Sequence, residues 1–311
     1  MKAMIQKVPV PLCGVMLGCA ALGNLLQSYS EAVRYLFGII AFLALVLLVL
    51  KWALYPAMVK EDLKNPIMLS VAATFPMGLM LLSVYAKPFL GGVSFFIWLA
   101  AILLHVALIV VFTMRFIIKL DIKKVFASYF IVYVGIAVAG ITAPAYEMQA
   151  LGAVAFWFGF VALLALLVVV GYRYSKHPEV PEPARPLFCI FAAPTSLCLA
   201  AYIQSVATKS AGMVIFLFIL ATALYLLSLY KLLRLPKAVF FPSFASFTFP
   251  FVISAIAAKQ ATAFLTGAGY QLPLLPAVVL IETIIALVLV CYTLVRFCIF
   301  LFQPVQGKAK A

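Results

Sequence analysis

The sequence predicts an all-α polytopic membrane protein in which ten transmembrane helices form five parallel helical hairpins. Three observations predict this fold: an apolar composition, apolar runs of membrane-spanning length, and helix-bending residues at regular intervals. Of the 311 residues, 68% are hydrophobic and 10% are charged, whereas a soluble domain is roughly half apolar and a quarter charged. An aqueous core cannot bury so much apolar surface, so the chain is predicted to lie in a bilayer.

Ten apolar runs have the length of about 20 residues that a helix needs to cross a bilayer. They cover residues 9–28, 33–55, 67–86, 92–114, 126–145, 149–171, 187–206, 212–232, 239–260 and 277–302. The short connections contain no G-x-x-x-x-G-K-[ST] phosphate loop, and the six cysteines lack C-x-x-C spacing. We therefore expect no enzyme activity, no ATP-driven transport, no cofactor, no metal site and no nucleic-acid partner.

Basic residues predict the orientation, because cytoplasmic loops retain Lys and Arg. With ten spans and the N-terminus inside, 18 of the 22 basic residues fall on the cytoplasmic side. That set is Lys2, Lys7, Lys51, Lys60, Lys64, Arg115, Lys119, Lys123, Lys124, Arg173, Lys176, Arg185, Lys231, Arg234, Lys237, Arg296, Lys308 and Lys310. Both termini are therefore predicted to be cytoplasmic, in a multi-pass protein of the cell (inner or plasma) membrane. Topology and contact with anionic lipid explain most of the net charge of +14.

A helix-bending residue recurs in each odd-numbered run. The five are Gly14, Pro76, Gly135, Pro194 and Pro250. Their spacings of 62, 59, 59 and 56 residues indicate five copies of a two-helix unit. The units cover roughly residues 9–55, 67–114, 126–171, 187–232 and 239–302. Each unit crosses the membrane twice, so all five have the same orientation and can close into a ring. The first copy begins in a run that also reads as a signal peptide, and the repeat favours a true span there.

The odd and even runs differ in composition. Gly, Pro, Ser and Thr together number 26 in the odd runs and 12 in the even runs. A mid-helix proline frees backbone carbonyls, which a bilayer tolerates only where protein or water satisfies them. The odd helices are therefore predicted to line the interior and the even helices to face lipid, with simple close packing through small residues as the alternative. The bends lie about eight residues, or roughly 12 Å, into each odd helix, which predicts a shared constriction.

The tripeptide Thr-Phe-Pro occurs at residues 74–76 and again at 248–250, within the stretch 246-SFTFPFVISAIA-257. This stretch, the ten runs and the five bent helices resemble the tellurite-resistance/dicarboxylate transporter family, which includes bacterial TehA proteins and the plant slow anion channel. The resemblance covers essentially the whole chain. It implies five hairpins around a central pore, a phenylalanine of the ninth helix that occludes the pore, and homotrimers. Phe249 matches that phenylalanine, because it directly precedes the proline.

These features predict an anion channel or channel-like anion transporter, whose partners are small inorganic or organic anions and the lipid bilayer. The pore would be passive, with bent-backbone dipoles and weak hydroxyl donors in place of fixed charges. The candidate donors are Thr74, Thr195, Ser196 and Thr248. The alternative is a proton- or ion-coupled secondary transporter of C4-dicarboxylates or sulfite. A structural or signalling membrane protein with a closed pore is a third possibility.

Two ionisable residues, His105 and Glu282, lie inside predicted even spans. Such residues are functional candidates by default, because burying them in a bilayer is costly. The other interpretation is a hydrogen bond between helices. In a proton-coupled carrier, Glu282 would be the first residue to suspect.

The residues that precede the five bends predict the composition of the constriction. They are Cys13, Phe75, Val134, Ala193 and Phe249. In a five-fold ring one unit separates the two phenylalanines, so both side chains can reach the axis. An apolar constriction blocks ions sterically and by dewetting. We therefore predict Phe249 as the main gate and Phe75 as a second plug, with ordinary packing between inner helices as the alternative for Phe75.

Overall fold

The computed structural model describes residues 2–235 and 239–303, and every regular element in these two ranges is a helix. The α-helices are α1 (Lys2–Lys7), α2 (Leu12–Leu26), α3 (Glu31–Leu54), α4 (Pro56–Asp62), α5 (Pro66–Ala72), α6 (Thr74–Leu90), α7 (Val93–Phe112), α8 (Tyr129–Tyr133), α9 (Val138–Thr142), α10 (Gln149–Lys176), α11 (Ala193–Ser205), α12 (Ala211–Leu233), α13 (Phe249–Gly267) and α14 (Leu275–Phe302). The 3₁₀ helices are Ile122–Lys124, Gly135–Ala137, Ala143–Tyr146, Glu182–Ala192 and Pro242–Phe247, and Thr113–Ile117 forms a π-helical turn. The predicted cytoplasmic residues Lys237, Lys308 and Lys310, and the C-terminus, lie outside the described residues.

Eight helical stretches of the described chain are long and apolar enough to cross a membrane. They are Glu31–Leu54, Pro66–Leu90, Val93–Ile117, Gln149–Lys176, Glu182–Ser205, Ala211–Leu233, Pro242–Gly267 and Leu275–Phe302. The chain is therefore a membrane protein, and the all-α prediction is confirmed for the described residues.

Two of the ten predicted runs, 9–28 and 126–145, contain only shorter apolar helices, Leu12–Leu26 and Gly135–Tyr146. In the first run α2 begins at Leu12, directly after Pro11. The other run is divided into four short helical pieces, because Gly135 and Pro144 both fall inside it. Glycine and proline are the poorest residues for the interior of an α-helix.

We call the odd-numbered parts of the chain the first to fifth inner segments. They are Leu12–Leu26, Pro66–Leu90, 129–146, Glu182–Ser205 and Pro242–Gly267. In the second, fourth and fifth of them a new α-helix (α6, α11 or α13) begins one or two residues before a proline. These prolines are Pro76, Pro194 and Pro250. They lie in the first turn of an α-helix, where an amide hydrogen is not needed, and partway along the helical stretches Pro66–Leu90, Glu182–Ser205 and Pro242–Gly267. Each proline therefore follows a break in its span and does not interrupt an α-helix.

The two glycine bends differ from each other. Gly14 is the third residue of α2, and no break follows it. Gly135 begins the 3₁₀ helix that separates α8 from α9. The third inner segment is therefore the most interrupted of the five.

Burial separates the inner segments from the even-numbered helices α3, α7, α10, α12 and α14, which we call the outer helices. In the most apolar part of the second, fourth and fifth inner segments 67% to 89% of the residues are buried, against 28% to 33% in the outer helices. In α2 every residue except Asn24 is buried. This is the burial difference that the counts of Gly, Pro, Ser and Thr predict.

Contacts among the inner segments close a circle. Helix α2 packs against α6, α6 against α9, α9 against α11, α11 against α13, and α13 against α2. Each outer helix packs against the inner segment that precedes it in the chain. At the closing contact, Nζ of Lys259 in α13 donates to Oγ of Ser28, which follows α2, over 2.5 Å. The first and last inner segments are therefore neighbours although more than 200 residues separate them.

Basic residues gather where the outer helices end, which we call the basic end of the bundle. Lys123, Arg173, Arg185 and Lys231 line one cavity there, although they belong to different parts of the chain. The side chain of Lys7 donates to the carbonyl of Gln303 at the end of α14. This end thus collects residues that the sequence assigns to one side of the membrane.

Candidate pore cavity

A cavity of about 350 Å³ lies where the five inner segments meet, and every inner segment lines it. The lining includes, for the first to the fifth inner segment in turn, Gly14, Thr74, Gly135, Pro194 and Pro250. The sequence predicts all of these residues as pore-lining. Among the predicted bend residues, all of which the structure describes, Pro76 alone is not part of the lining.

The lining is apolar with a few neutral polar groups. Asn65, Ser243 and Ser246 contribute the amide and hydroxyl groups at the basic end, beside several prolines. Among the described residues that line the cavity, none carries a charge. Such a wall cannot bind a permeating ion tightly, because it offers no counter-ion.

Phe249 lines the cavity and is the first residue of α13. Its side chain is almost fully covered, with 6% of the residue exposed. The preceding residue, Thr248, has φ −93° and ψ −94°, so the backbone leaves helical geometry directly before Phe249. The break between the 3₁₀ helix and α13 therefore sets the direction of this side chain.

Phe75 lies elsewhere. Its ring packs against Trp52 of the outer helix α3, with the ring centroids 4.4 Å apart and the planes inclined by 50°. Its neighbours Thr74 and Met77 line the cavity, but Phe75 does not. The structure thus places Phe75 in a packing position, but against an outer helix and not between inner helices, which is the alternative to a second plug that the sequence leaves open.

The predicted hydroxyl donors serve the breaks in the inner segments. The hydroxyl of Thr74 donates to the carbonyl of Val71 over 2.7 Å. Oγ1 of Thr248 lies 2.7 Å from the carbonyl oxygen of Ala245 and 3.0 Å from that of Gly14. These hydroxyls therefore add hydrogen bonds to backbone carbonyls at and beside the breaks.

Ser196 has the same role in the fourth inner segment. Its hydroxyl lies 2.9 Å from the carbonyl oxygen of Ala192, which also accepts from Ser254 of α13 over 3.0 Å. Thr195 is fully buried, and among the described residues its Oγ1 has no hydrogen-bond partner. Of the four predicted donors, only Thr74 lines the cavity. Ser196 and Thr248 instead lie within hydrogen-bond distance of groups on neighbouring segments, and the role of these two residues and of Thr195 along the path of an anion stays a prediction.

Sequence reasoning missed Gly18. A Cβ atom at this position would lie 2.5 Å from Cβ and Oγ1 of Thr248 and 3.0 Å from the backbone nitrogen of Phe249. Gly18 therefore lets α2 approach the start of α13 directly beside the candidate gate. The pattern Gly-x-x-x-Gly formed with Gly14 is typical of close helix contacts in membranes, and it could have identified this position.

His105 connects an outer helix to the third inner segment. It is fully buried in α7, and its Nε2 lies 2.9 Å from the carbonyl oxygen of Val132. A carbonyl only accepts, so Nε2 carries the hydrogen. A Cβ at Gly135 would lie 3.0 Å from the histidine ring, so this glycine makes room for it. The contact fits the interpretation of His105 as a hydrogen-bond partner between helices.

Glu282 lies in α14, is 5% exposed, and has no hydrogen-bond partner for Oε2 among the described residues. It borders a small void of about 10 Å³ together with Ser196, Tyr225 and Ser254. That volume is close to the space that one water molecule occupies. Glu282 does not line the central cavity.

Buried, interrupted helices around an uncharged cavity, enclosed by apolar outer helices, are features of a membrane channel or transporter. Comparison with protein families gives the same class: the family model described as voltage-dependent anion channel (SLAC1) matches residues 7–299. The chain therefore belongs to the SLAC1 family of membrane anion channels. No curated protein matches it.

Proposed function

We propose that this protein conducts small anions passively through a pore along the axis of the inner segments, and that Phe249 gates the pore. The observation that carries the proposal is the central cavity, which all five inner segments line and whose wall includes Phe249. Membership in the anion-channel family supports the anion as the permeating species. The proposal assigns the protein no enzymatic activity.

Helix N-termini supply an attraction for anions without a fixed charge. The helices α6, α11 and α13 begin at Thr74, Ala193 and Phe249, and all three residues line the cavity. The N-terminus of a helix carries a partial positive charge of roughly half an elementary charge. Of the three helices, only α13 follows a non-helical residue, Thr248, so its end is the main attraction for an anion, and the absence of counter-ions among the described lining residues lets the anion leave.

The proposed gate is apolar. A phenyl ring in a narrow passage excludes ions by its volume and by keeping water out. Phe249 directly follows the non-helical Thr248, so a change of its rotamer leaves the rest of α13 in place. Opening therefore needs a side-chain movement and no separation of helices.

The arrangement in the membrane is part of the proposal. All ten predicted runs cross the bilayer, the basic end of the bundle is cytoplasmic, both termini are on the cytoplasmic side, and homotrimers form in the cell membrane. The gathering of basic residues at one end supports this orientation. The trimer is supported by the family resemblance.

One observation favours a second candidate function. The carboxyl of Glu282 is buried beside a water-sized void, and Oε2 has no partner among the described residues. A buried carboxyl of this kind can take up and release a proton during transport. The second candidate is therefore a proton-coupled carrier of C4-dicarboxylates or sulfite, with Glu282 as the coupling residue.

Currents across a planar bilayer under gradients of chloride, nitrate, sulfite and malate test the two functions. The channel proposal predicts discrete unitary currents whose reversal potential follows the anion gradient and ignores a pH gradient, in the parent protein and in Glu282→Gln alike. A carrier would give flux without unitary currents, and Glu282→Gln would remove its response to pH. If the inserted protein gives no current and no flux, that result contradicts both functions.

A further inference from the structure

A second cavity, of about 1130 Å³, lies at the basic end and outside the circle of inner segments. The C-terminal ends of α10 and α12 and one face of the 3₁₀ helix Glu182–Ala192 bound it. Its lining contains a single acidic residue, Glu179, among the described residues. Its basic residues are Lys123, Lys124, Arg173, Arg185, Lys231 and Arg234. We call this cavity the basic groove.

Arg173 is the buried member of the set, with 1% of the residue exposed. Its Cζ lies 4.6 Å from the ring centre of Phe126 and 4.8 Å from that of Tyr174. One nitrogen, Nη2, donates to the carbonyl of Glu179 over 3.0 Å. The aromatic contacts and this hydrogen bond hold the guanidinium group in one orientation.

The rest of that guanidinium group lacks acceptors. Nε and Nη1 of Arg173 are both buried, and neither has a hydrogen-bond partner among the described residues. A buried charged donor without an acceptor is costly. Because Arg173 lines the groove, an acceptor bound there lies beside this guanidinium group, and a small shift of the covered side chain brings its free donors within reach.

The other charges of the groove are also largely uncompensated. Lys124 forms a salt bridge with Asp121 at 3.2 Å. In the part of the chain that the structure describes, no other basic residue of the groove has a carboxylate within salt-bridge distance. Lys231 and Arg234 instead lie over the rings of Phe188 and Tyr230, with their charged groups at the groove.

We propose that the basic groove binds a phosphate group, with Arg173 as the inner anchor and Lys231 and Arg234 as flanking charges. An arginine fork matches phosphate in geometry, since it donates two parallel hydrogen bonds. In Arg173 the second hydrogen of Nη2, beside the one that Glu179 accepts, forms such a fork with Nε or with Nη1. Several cations around one cavity also suit a multiply charged group better than a halide. The phosphate comes either from the headgroup of an anionic phospholipid or from a soluble phosphate ester, and basic pockets between membrane helices suit the former.

The groove is distinct from the central cavity. The 3₁₀ helix Glu182–Ala192 lies between the two: Arg185 and Phe188 line the groove, whereas Ala184 and Leu187 line the central cavity. Pro181, directly before this helix, lines both, so the two cavities adjoin there. A phosphate in the groove therefore occupies a place beside the proposed pore and outside it.

The purified protein in detergent tests this proposal with two kinds of probe. Native mass spectrometry measures retention of phosphatidic acid against phosphatidylcholine, and calorimetry measures binding of inorganic phosphate against chloride. The variant Lys231→Gln/Arg234→Gln changes two exposed residues of the groove. The matched control, Lys60→Gln/Lys119→Gln, removes two exposed cations outside the groove.

We expect the groove variant to bind the phosphate probe at least about tenfold more weakly, as the loss of charge-assisted hydrogen bonds implies, and the control to bind like the parent. Arg173→Lys keeps the charge, loses the fork and should also weaken binding. Retention of phosphatidic acid alone identifies a lipid headgroup, and binding of inorganic phosphate identifies a soluble ligand. The proposal is overturned if the parent binds neither probe, or if the groove variant and the control lose affinity equally.

Discussion

The tripeptide Thr-Phe-Pro occurs twice in this protein, and its phenylalanine side chain has different surroundings in the two copies. At residues 248–250 the phenylalanine lines the central cavity. At residues 74–76 the phenylalanine packs against Trp52 of an outer helix. Both copies begin an α-helix within an inner segment, so neither sequence nor secondary structure class distinguishes them.

The backbone before each helix differs. Ala73, which precedes α6, has φ −65° and ψ −14°, and the chain passes from α5 into α6 in nearly helical geometry. Thr248, which precedes α13, has ψ −94° and lies outside that geometry. Helix α6 also begins at the threonine, whereas α13 begins at the phenylalanine. Since one residue turns a helix by about 100°, such local differences decide which way a phenylalanine points.

The largest change in anion current is expected from the substitution Phe249→Ala. Removing the ring from the cavity wall should raise anion conductance more than about tenfold, which corresponds to ~1.4 kcal/mol less barrier to permeation. Single-channel recording in planar bilayers measures it. Phe251→Ala is the matched control, because Phe251 is a buried phenylalanine of the same helix that packs against Tyr225. The gate assignment is wrong if both variants conduct like the parent.

Phe75→Ala should affect stability and leave conductance unchanged. Loss of a buried phenyl group from a packed site costs about 3–5 kcal/mol, and here the lost contact is with Trp52. Thermal unfolding in detergent should show a lower midpoint, and the double variant with Phe249→Ala should conduct no more than Phe249→Ala alone. A further rise in current in the double variant would restore Phe75 as a second plug.

A smaller effect is expected from Gly18→Ala. The added Cβ would lie 2.5 Å from Thr248, so α2 and the start of α13 must separate, at a cost of about 1–3 kcal/mol. Gly171→Ala is the control, since a Cβ there meets nothing within 4 Å. Unfolding midpoints of the two variants measure the difference. Equal midpoints would show that the contact between Gly18 and Thr248 does not hold the gate region in place.

The membrane location and the helical class follow from the sequence, because apolar composition and run length report directly on burial in lipid. The bend residues were also recognisable, and Gly14, Gly135, Pro194 and Pro250 all line the cavity. The exact position of the three prolines in their helices was not recognisable. All three lie in the first turn of an α-helix, and in an unbroken apolar run a first-turn position and a mid-helix position look alike.

The sequence by itself thus determined which helices are inner and which are outer, because small residues and prolines mark the segments that other helices must cover. Tertiary structure alone decided the surroundings of individual side chains. Phe75 and Phe249, the hydroxyls of Ser196 and Thr248, and the unpartnered donors of Arg173 depend on which segments meet. The contact between Thr248 and Gly14, for example, joins residues 234 positions apart in the sequence. Local patterns of composition do not show which of such distant residues will meet.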